Sequence, residues 1–329
     1  MILSFLHPIF SPFHPFPPFH SSALIADLPH LIRSPLHSPM HPSPSDSQIA
    51  ALQTPVLPNL NLGAFTEHWQ TTLSWQPDEQ QQQQFQQLYH CILEGNHQFN
   101  LTRITELSEF WEKHLWDSLR GIQTFLTSAS PSLLPPPQNI PAPNPHAPST
   151  DAHGGSPRPT PLKVIDIGTG AGFPGLPIAI AQPTWQVTLL DATRKKMDFL
   201  KQVLTTVGIA NGKTLTNRVE TVGQQREHRG RYDLALVRAV AAASVCAEYA
   251  LPLLQVGGLA ILYRGQWTIA EMEGLEKTME QLGGQVERVE SFVTPLTGGD
   301  RTLVYLRKIA PTPAGFPRPI GIPSQKPLG

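Results

Sequence analysis

The chain has 329 residues, a formal net charge of -1 and 35 prolines, the last roughly twice an average share of about 5%. Twelve prolines fall in residues 1–60, eleven in 127–161 and eleven in 162–329, with Pro77 alone between the first two groups. Proline fixes its own backbone angle and lacks a donor, so this density excludes one compact fold of the whole chain. What remains foldable is 62–126 joined to 162–329, enough for one well-cored α/β domain.

In chain order, residues 1–61 read as a disordered Pro/His/Ser-rich extension, or as translated upstream sequence. No basic residue precedes Arg33 and prolines interrupt the apolar start, so neither a secretory nor a transit pattern fits. Residues 62–126 read as an N-terminal helical part. Phe85, Leu88, Tyr89, Ile92 and Leu93 share one face of a helix over 79–94, with Gly95-Asn96 as its stop and glutamines 80–84 as a solvated end. A second helix is expected after a Thr105 cap, ending near Gly121. Residues 127–161 read as a disordered Pro-rich insert. Strands follow at 162–167, 186–191, 213–217, 232–237 and 258–263, separated by helical or loop stretches, which predicts a parallel doubly wound sheet. QVERVESFV and RTLVYLRK flank a TPLTGGD turn and are expected to pair antiparallel, completing residues 162–309. Residues 310–329 read as a Pro/Gly-rich basic tail. Residues 162–329 carry 19 Lys+Arg against 14 Asp+Glu, whereas 1–161 carry 5 against 11, so the basic half permits a polyanionic partner. Cys91 and Cys246 lack metal-ligand spacing and read as reduced thiols of a cytoplasmic protein without a metal. No apolar run approaches the ~20 residues of a membrane span.

The stretch VIDIGTGAGFPGLPIAI carries the chemistry. A buried strand enters Asp166, Gly168, Gly170, Gly172 and Phe173, then a helix starts near Pro174 with free N–H groups and positive dipole. Gly170, Gly172 and Gly175 also satisfy a dinucleotide fingerprint. That fingerprint should begin where the strand ends, and Gly168 already occupies that point. Asp166 would repel a pyrophosphate but suits the cationic amino group of S-adenosylmethionine. Asp191 ends the next strand, where a carboxylate accepts ribose hydroxyls in either chemistry. Val219 and Glu220 follow the third strand, at the usual place to hold adenine. Arg238 follows the fourth, where the acceptor is presented, and is assigned a positioning role. No Asn-Pro-Pro-Tyr-like run stands there, which fits a ring nitrogen that needs no deprotonation and depends on positioning.

FNLTRIT, EKHLWDSL, VIDIGTGAGFPGLPIAI, VTLLDATRKKMDFL, YDLALVRAV and GGDRTLVYLRKIAPTPAGFPRP together resemble the bacterial ribosomal RNA small subunit methyltransferase G family, the glucose-inhibited division protein B family. The resemblance spans about 65–125 and 162–323. It implies an α/β, Rossmann-like class I methyltransferase sheet, parallel strands plus an antiparallel edge hairpin, with an N-terminal helical extension. It also implies methylation of guanine N7 in the decoding-centre loop of 16S rRNA, on the small ribosomal subunit or an assembly intermediate. By the family pattern Gly168, Phe173, Asp191, Ala192, Thr193, Val219, Glu220 and Arg238 contact S-adenosylmethionine. Asn100, His114, Asp117, Arg264 and Arg301 are RNA candidates. Arg194, Lys195, Lys196, Lys201, Arg307, Lys308, Arg318 and Lys326 are further cations for phosphates. The extension, the insert, the glutamine run and Arg264-Gly265 in place of Lys-Gly depart from the family. A methyltransferase of another RNA or a small molecule, and a cofactor-binding module without turnover, are the competing readings.

Overall fold

The structure, a computed structural model, describes residues 61–127 and 161–329. The expected extension, up to residue 60, and nearly all of the insert lie outside the described residues. Seven strands form one sheet: β1 (Lys163–Ile167), β2 (Gln186–Asp191), β3 (Gly212–Thr216), β4 (Tyr232–Arg238), β5 (Leu254–Arg264), β6 (Gly284–Val293) and β7 (Asp300–Lys308). Their order is β3-β2-β1-β4-β5-β7-β6. The first five are parallel, and β7 pairs antiparallel with both β5 and β6. The sheet therefore has the expected parallel core and antiparallel hairpin, with β7 inside and β6 at the edge.

The central strands are apolar along their length because helices cover both faces. Val164, Leu234, Leu236, Ile261 and Tyr305 enter one core, while Ile165, Ile167, Ala235, Leu262 and Val304 enter the other. The first core is closed by the N-terminal helices α1 (Thr66–Leu73), α2 (Glu79–Phe99), α3 (Leu107–Phe110), α4 (Asp117–Arg120) and α5 (Gln123–Leu126), with α6 (Gly175–Ala181) and α7 (Arg194–Val207). A short α8 (Val219–Val222) follows β3. α9 (Ala243–Ala250) and α10 (Ile269–Leu282) line the second core, and α11 (Ile322–Gln325) lies beyond β7.

Three local expectations are corrected. The long helix does not stop at Gly95-Asn96 but runs to Phe99, where Asn100 takes the left-handed conformation (φ 47°) and caps it. Gly95 is a close-packing residue: a Cβ there would lie 2.4 Å from the Phe199 ring. Thr105 does not cap the second helical segment, which begins after Glu106 without a side-chain cap; the Thr105 carbonyl instead accepts from the Tyr89 hydroxyl at 2.7 Å. The glutamine run is not simply solvated. Gln81 completes a capping box with Asp78, and its Nε2 donates to the carbonyls of Ile180 and Ala181 at the end of α6. Gln84 Nε2 donates to Val207 and Gly208 at the end of α7. Helix ends leave carbonyls without intrahelical partners, and these amides satisfy them, fastening α2 to the sheet-bearing half.

Residues 310–329 are folded onto the sheet half. Arg229 donates to the carbonyls of Thr312, Pro313 and Phe316, and Arg318 pairs with the fully buried Glu248. Of the cations proposed for phosphates, Arg318 is thus committed internally. Arg307, 1% exposed, pairs with Glu287, and Lys308, 4% exposed, donates to the carbonyls of Leu251 and Leu254. Arg194, Lys195, Lys201 and Lys326 remain exposed.

Candidate functional site

β1 leads into the glycine loop at the switch point between β1 and β4, where parallel α/β sheets open a crevice. Gly168, Gly170 and Gly172 all have positive φ. At Gly172 (φ 97°) a Cβ would also meet Leu176 Cδ1 at 2.3 Å, so glycine is required twice over. Asp166 is 1% exposed, and its Oδ2 accepts from the Thr169 hydroxyl (2.6 Å) and the Gly175 N–H (2.8 Å). This carboxylate staples the loop's two ends. Its Oδ1 is buried without a partner among the described residues, and burial raises its pKa to about 6.

Asp191 closes the next side. Its Oδ2 accepts the Gly170 N–H at 3.1 Å and its Oδ1 the Thr193 N–H at 2.8 Å. A cavity of about 310 Å³ opens between the ends of β1, β2 and β4, lined by Gly168, Asp191, Ala192, Thr193, Asn217, Arg218, Val219, Val240, Ala241, Tyr249 and Ser324. The structure thus gathers Gly168, Asp191, Ala192, Thr193 and Val219 as the sequence suggested. Glu220 is placed differently. It is 2% exposed, and its Oε1 accepts from Arg218 Nη2 (2.9 Å) and the Gly321 N–H (3.0 Å). Burial works to raise its pKa, but these donors prevail and hold it below the usual carboxylate range.

A second cluster surrounds Arg238 at the end of β4. The next residue, Ala239, has φ 55°, a left-handed conformation that costs a non-glycine residue about 1–3 kcal/mol and gathers at functional sites. Between α3 and α4 the chain runs as a π-helix over Trp111–Trp116, a wider winding frequent at such sites. It presents Lys113 and His114, and the start of α4 presents Asp117, to one guanidinium. Arg238 Nη1 donates to the Lys113 carbonyl (2.8 Å) and Asp117 Oδ2 (3.2 Å), and Nη2 stands 3.4 Å from His114 Nδ1. Burial, aided by the charge of Arg238, pushes the His114 pKa down to about 3, so the ring is neutral. Because the guanidinium only donates, Nδ1 is inferred to be the accepting nitrogen, and Nε2–H then donates to Thr102 Oγ1 at 2.9 Å. His114 and Asp117 do not bond to each other; Arg238 joins them. Asp117 Oδ1 also faces Arg301 Nε at 3.8 Å, and burial raises the Asp117 pKa against the pull of both arginines.

Phe173 belongs to this cluster rather than to the cavity. It is 4% exposed and stacks on His114 with ring centres 4.3 Å apart and planes 8° from parallel. Asn100 serves as the cap of α2, as described. Arg264 braces the site from behind, donating to the Ala241 carbonyl (2.7 Å) and pairing with Glu271 (2.8 Å). Sequence reasoning missed Glu112, fully buried, which accepts N–H groups from Leu296 and Thr297 and ties the turn between β6 and β7 to the π-helix. It also missed Thr102, Arg218, Tyr249 and Ser324. Thr102 and Glu112 lie inside the quoted motifs, which was the available signal; Ser324 gave none.

The family model for rRNA small subunit methyltransferase G (GidB) matches residues 81–132 and 156–304. A protein of Trichormus variabilis called ribosomal RNA small subunit methyltransferase G is 53% identical over 267 residues, covering 81% of this chain and 98% of the relative. Proteins of that name from Nostoc punctiforme and Trichodesmium erythraeum are 52% and 50% identical, covering 81% and 79% of this chain and 98% and 92% of their own. The matched regions take in the glycine loop, the π-helix and Arg238, and the chain belongs to the rRNA small subunit methyltransferase G family.

Proposed function

We propose that this chain methylates guanine N7 in the 16S rRNA of the small ribosomal subunit, or of its assembly intermediate, with S-adenosylmethionine as methyl donor, in the cytoplasm. The observation that carries the reading is the juxtaposition of the 310 Å³ cavity lined by Asp191 with the Arg238 cluster at the end of β4, whose following residues Val240 and Ala241 also line it. The residues suit the donor: a buried carboxylate oxygen on Asp166 with no partner among the described residues favours a cation, and Asp191 lines the cavity as a hydroxyl acceptor. When bound, S-adenosylmethionine supplies a methyl group activated on a cationic sulfur.

The chain's own groups then position rather than deprotonate. His114 is neutral with Nδ1 facing Arg238, and Asp117 is shared between Arg238 and Arg301. Guanine N7 carries a free lone pair and needs no base. Holding acceptor and donor in line is worth about 7–11 kcal/mol of barrier. The exposed Arg194, Lys195 and Lys201 on α7 are available for phosphates, which makes RNA affinity fall with salt. No helix among the described residues is long and apolar enough to cross a membrane.

The test is incubation with labelled donor and small subunits from a strain lacking this modification, followed by mapping of the base. Label in N7-methylguanine of 16S rRNA is expected. Label confined to transfer RNA or small molecules, or donor binding without turnover, would overturn the assignment. A pH dependence accompanies it. Since the Asp166 pKa is raised to about 6 and the cation prefers its ionised form, donor affinity should be level above pH 7 and fall as pH drops through 6. Calorimetry across pH 5–8 reads this, and a level profile would show that Asp166 does not face the cation.

A further inference from the structure

The segment after β7 reaches the cavity by three routes. Ser324 lines the cavity directly, as does Tyr249, whose hydroxyl is 3.1 Å from Ser324 Oγ. The third route runs through the buried Glu220. Gly321 N–H and Arg218 Nη2 both donate to its Oε1, and Arg218 is itself a wall of the cavity. Tyr249 OH also stands 3.4 Å from the same Oε1, so one carboxylate oxygen joins the segment, α9 and the residue before α8. Upstream, the segment is fastened independently by Arg229 and by the Arg318–Glu248 pair. The contacts at 321–324 therefore lie beyond the anchors that attach the segment to the fold.

We propose that residues 321–324 are part of the methyl-donor site, forming the wall opposite Asp191 against which the nucleoside half of the donor packs, so that this segment sets donor affinity. The proposal rests on the cavity being the S-adenosylmethionine site. Glu220 then acts as a positioning residue: it holds Gly321 and Arg218 in place.

Calorimetry with S-adenosylhomocysteine on three proteins tests it: the full chain, the chain ended after Pro319, and full-length Ser324→Trp. Ending after Pro319 keeps the Arg229 and Arg318 anchors. Ser324 is exposed on the cavity side, so a bulky replacement fills the cavity without entering the core. Binding roughly tenfold weaker or worse is expected in both variants, the size of one or two lost polar contacts. Ser324→Trp should unfold at the temperature of the parent chain. If the full chain binds no S-adenosylhomocysteine, the reading of the cavity fails. If the full chain binds and Ser324→Trp binds equally well, the cavity reading stands and the wall assignment is overturned, even if the shortened chain does not fold.

Discussion

Asp191→Ala is expected to weaken S-adenosylhomocysteine binding by one to two orders of magnitude while leaving the protein folded. A hydrogen bond to a charged group is worth about 1.5–3 kcal/mol net, and each 1.4 kcal/mol is tenfold. The carboxylate lines the cavity and also draws in the N–H groups of Gly170 and Thr193, so its loss frees the glycine loop at the same time. It is half-buried and forms no ion pair among the described residues, which keeps the cost to the fold small. Asp191→Asn retains one acceptor oxygen and should fall between. Calorimetry on the three proteins distinguishes these outcomes, and unchanged affinity in Asp191→Ala would remove the carboxylate from the site.

Arg238→Met should be the most damaging exchange of similar length. Asp117 is 6% exposed and would keep only Arg301, at 3.8 Å. Breaking a buried pair costs about 3–5 kcal/mol, and the remaining arginine places the expected loss near the lower end. Adding Asp117→Asn to Arg238→Met should restore more than half of it, because no carboxylate is then left buried at position 117 without its guanidinium. The sign with pH follows from the same carboxylate. Its folded pKa is raised by burial, and without Arg238 it rises further, so the stability deficit grows as pH rises through it and shrinks on acidification. Denaturant melts at pH 5 and 8 read both effects. Methyl transfer measured where the variant is folded should fall roughly 100-fold, the scale of a small misplacement at a reacting centre. A double variant no more stable than the single one would mean that the pair does not carry the site.

The sheet and the glycine loop were legible because their determinants are local. Strand periodicity, the spacing of Gly168, Gly170 and Gly172, and the carboxylates closing β1 and β2 all sit within a few residues of what they control. The Arg238 cluster was half legible. His114 and Asp117 stand out in EKHLWDSL, but a regular helix suggests that they meet each other; the π-helical winding and a partner more than 120 residues away decide otherwise. Arg307, Lys308 and Arg318 misled for a related reason. Charged residues near a proline-rich segment read as surface, and only pairing with Glu287, Glu248 and buried carbonyls, 20 to 70 positions distant, makes their burial tolerable. The glutamines hid their function in low complexity: Gln81 and Gln84 carry the fastening, and nothing in the run marks them apart from Gln83.

The place of β7 bears on how the enzyme comes into being. The strand made last lies between β5 and β6, and its Tyr305 and Leu306 fill both cores. While the protein is being synthesised, the parallel half of the sheet can form, yet β5 keeps an open edge until residue 308 has emerged from the ribosome. Such an edge invites pairing with another nascent chain. Glu112 gains its partners at 296–297 just before β7 is made, and Glu220 its partner at 321 just after it. A chain ended short of β7 leaves the β5 edge unpaired, the kind of edge that favours association over folding. The cavity lined by Asp191 and Ser324 is completed after most of the chain has already been made.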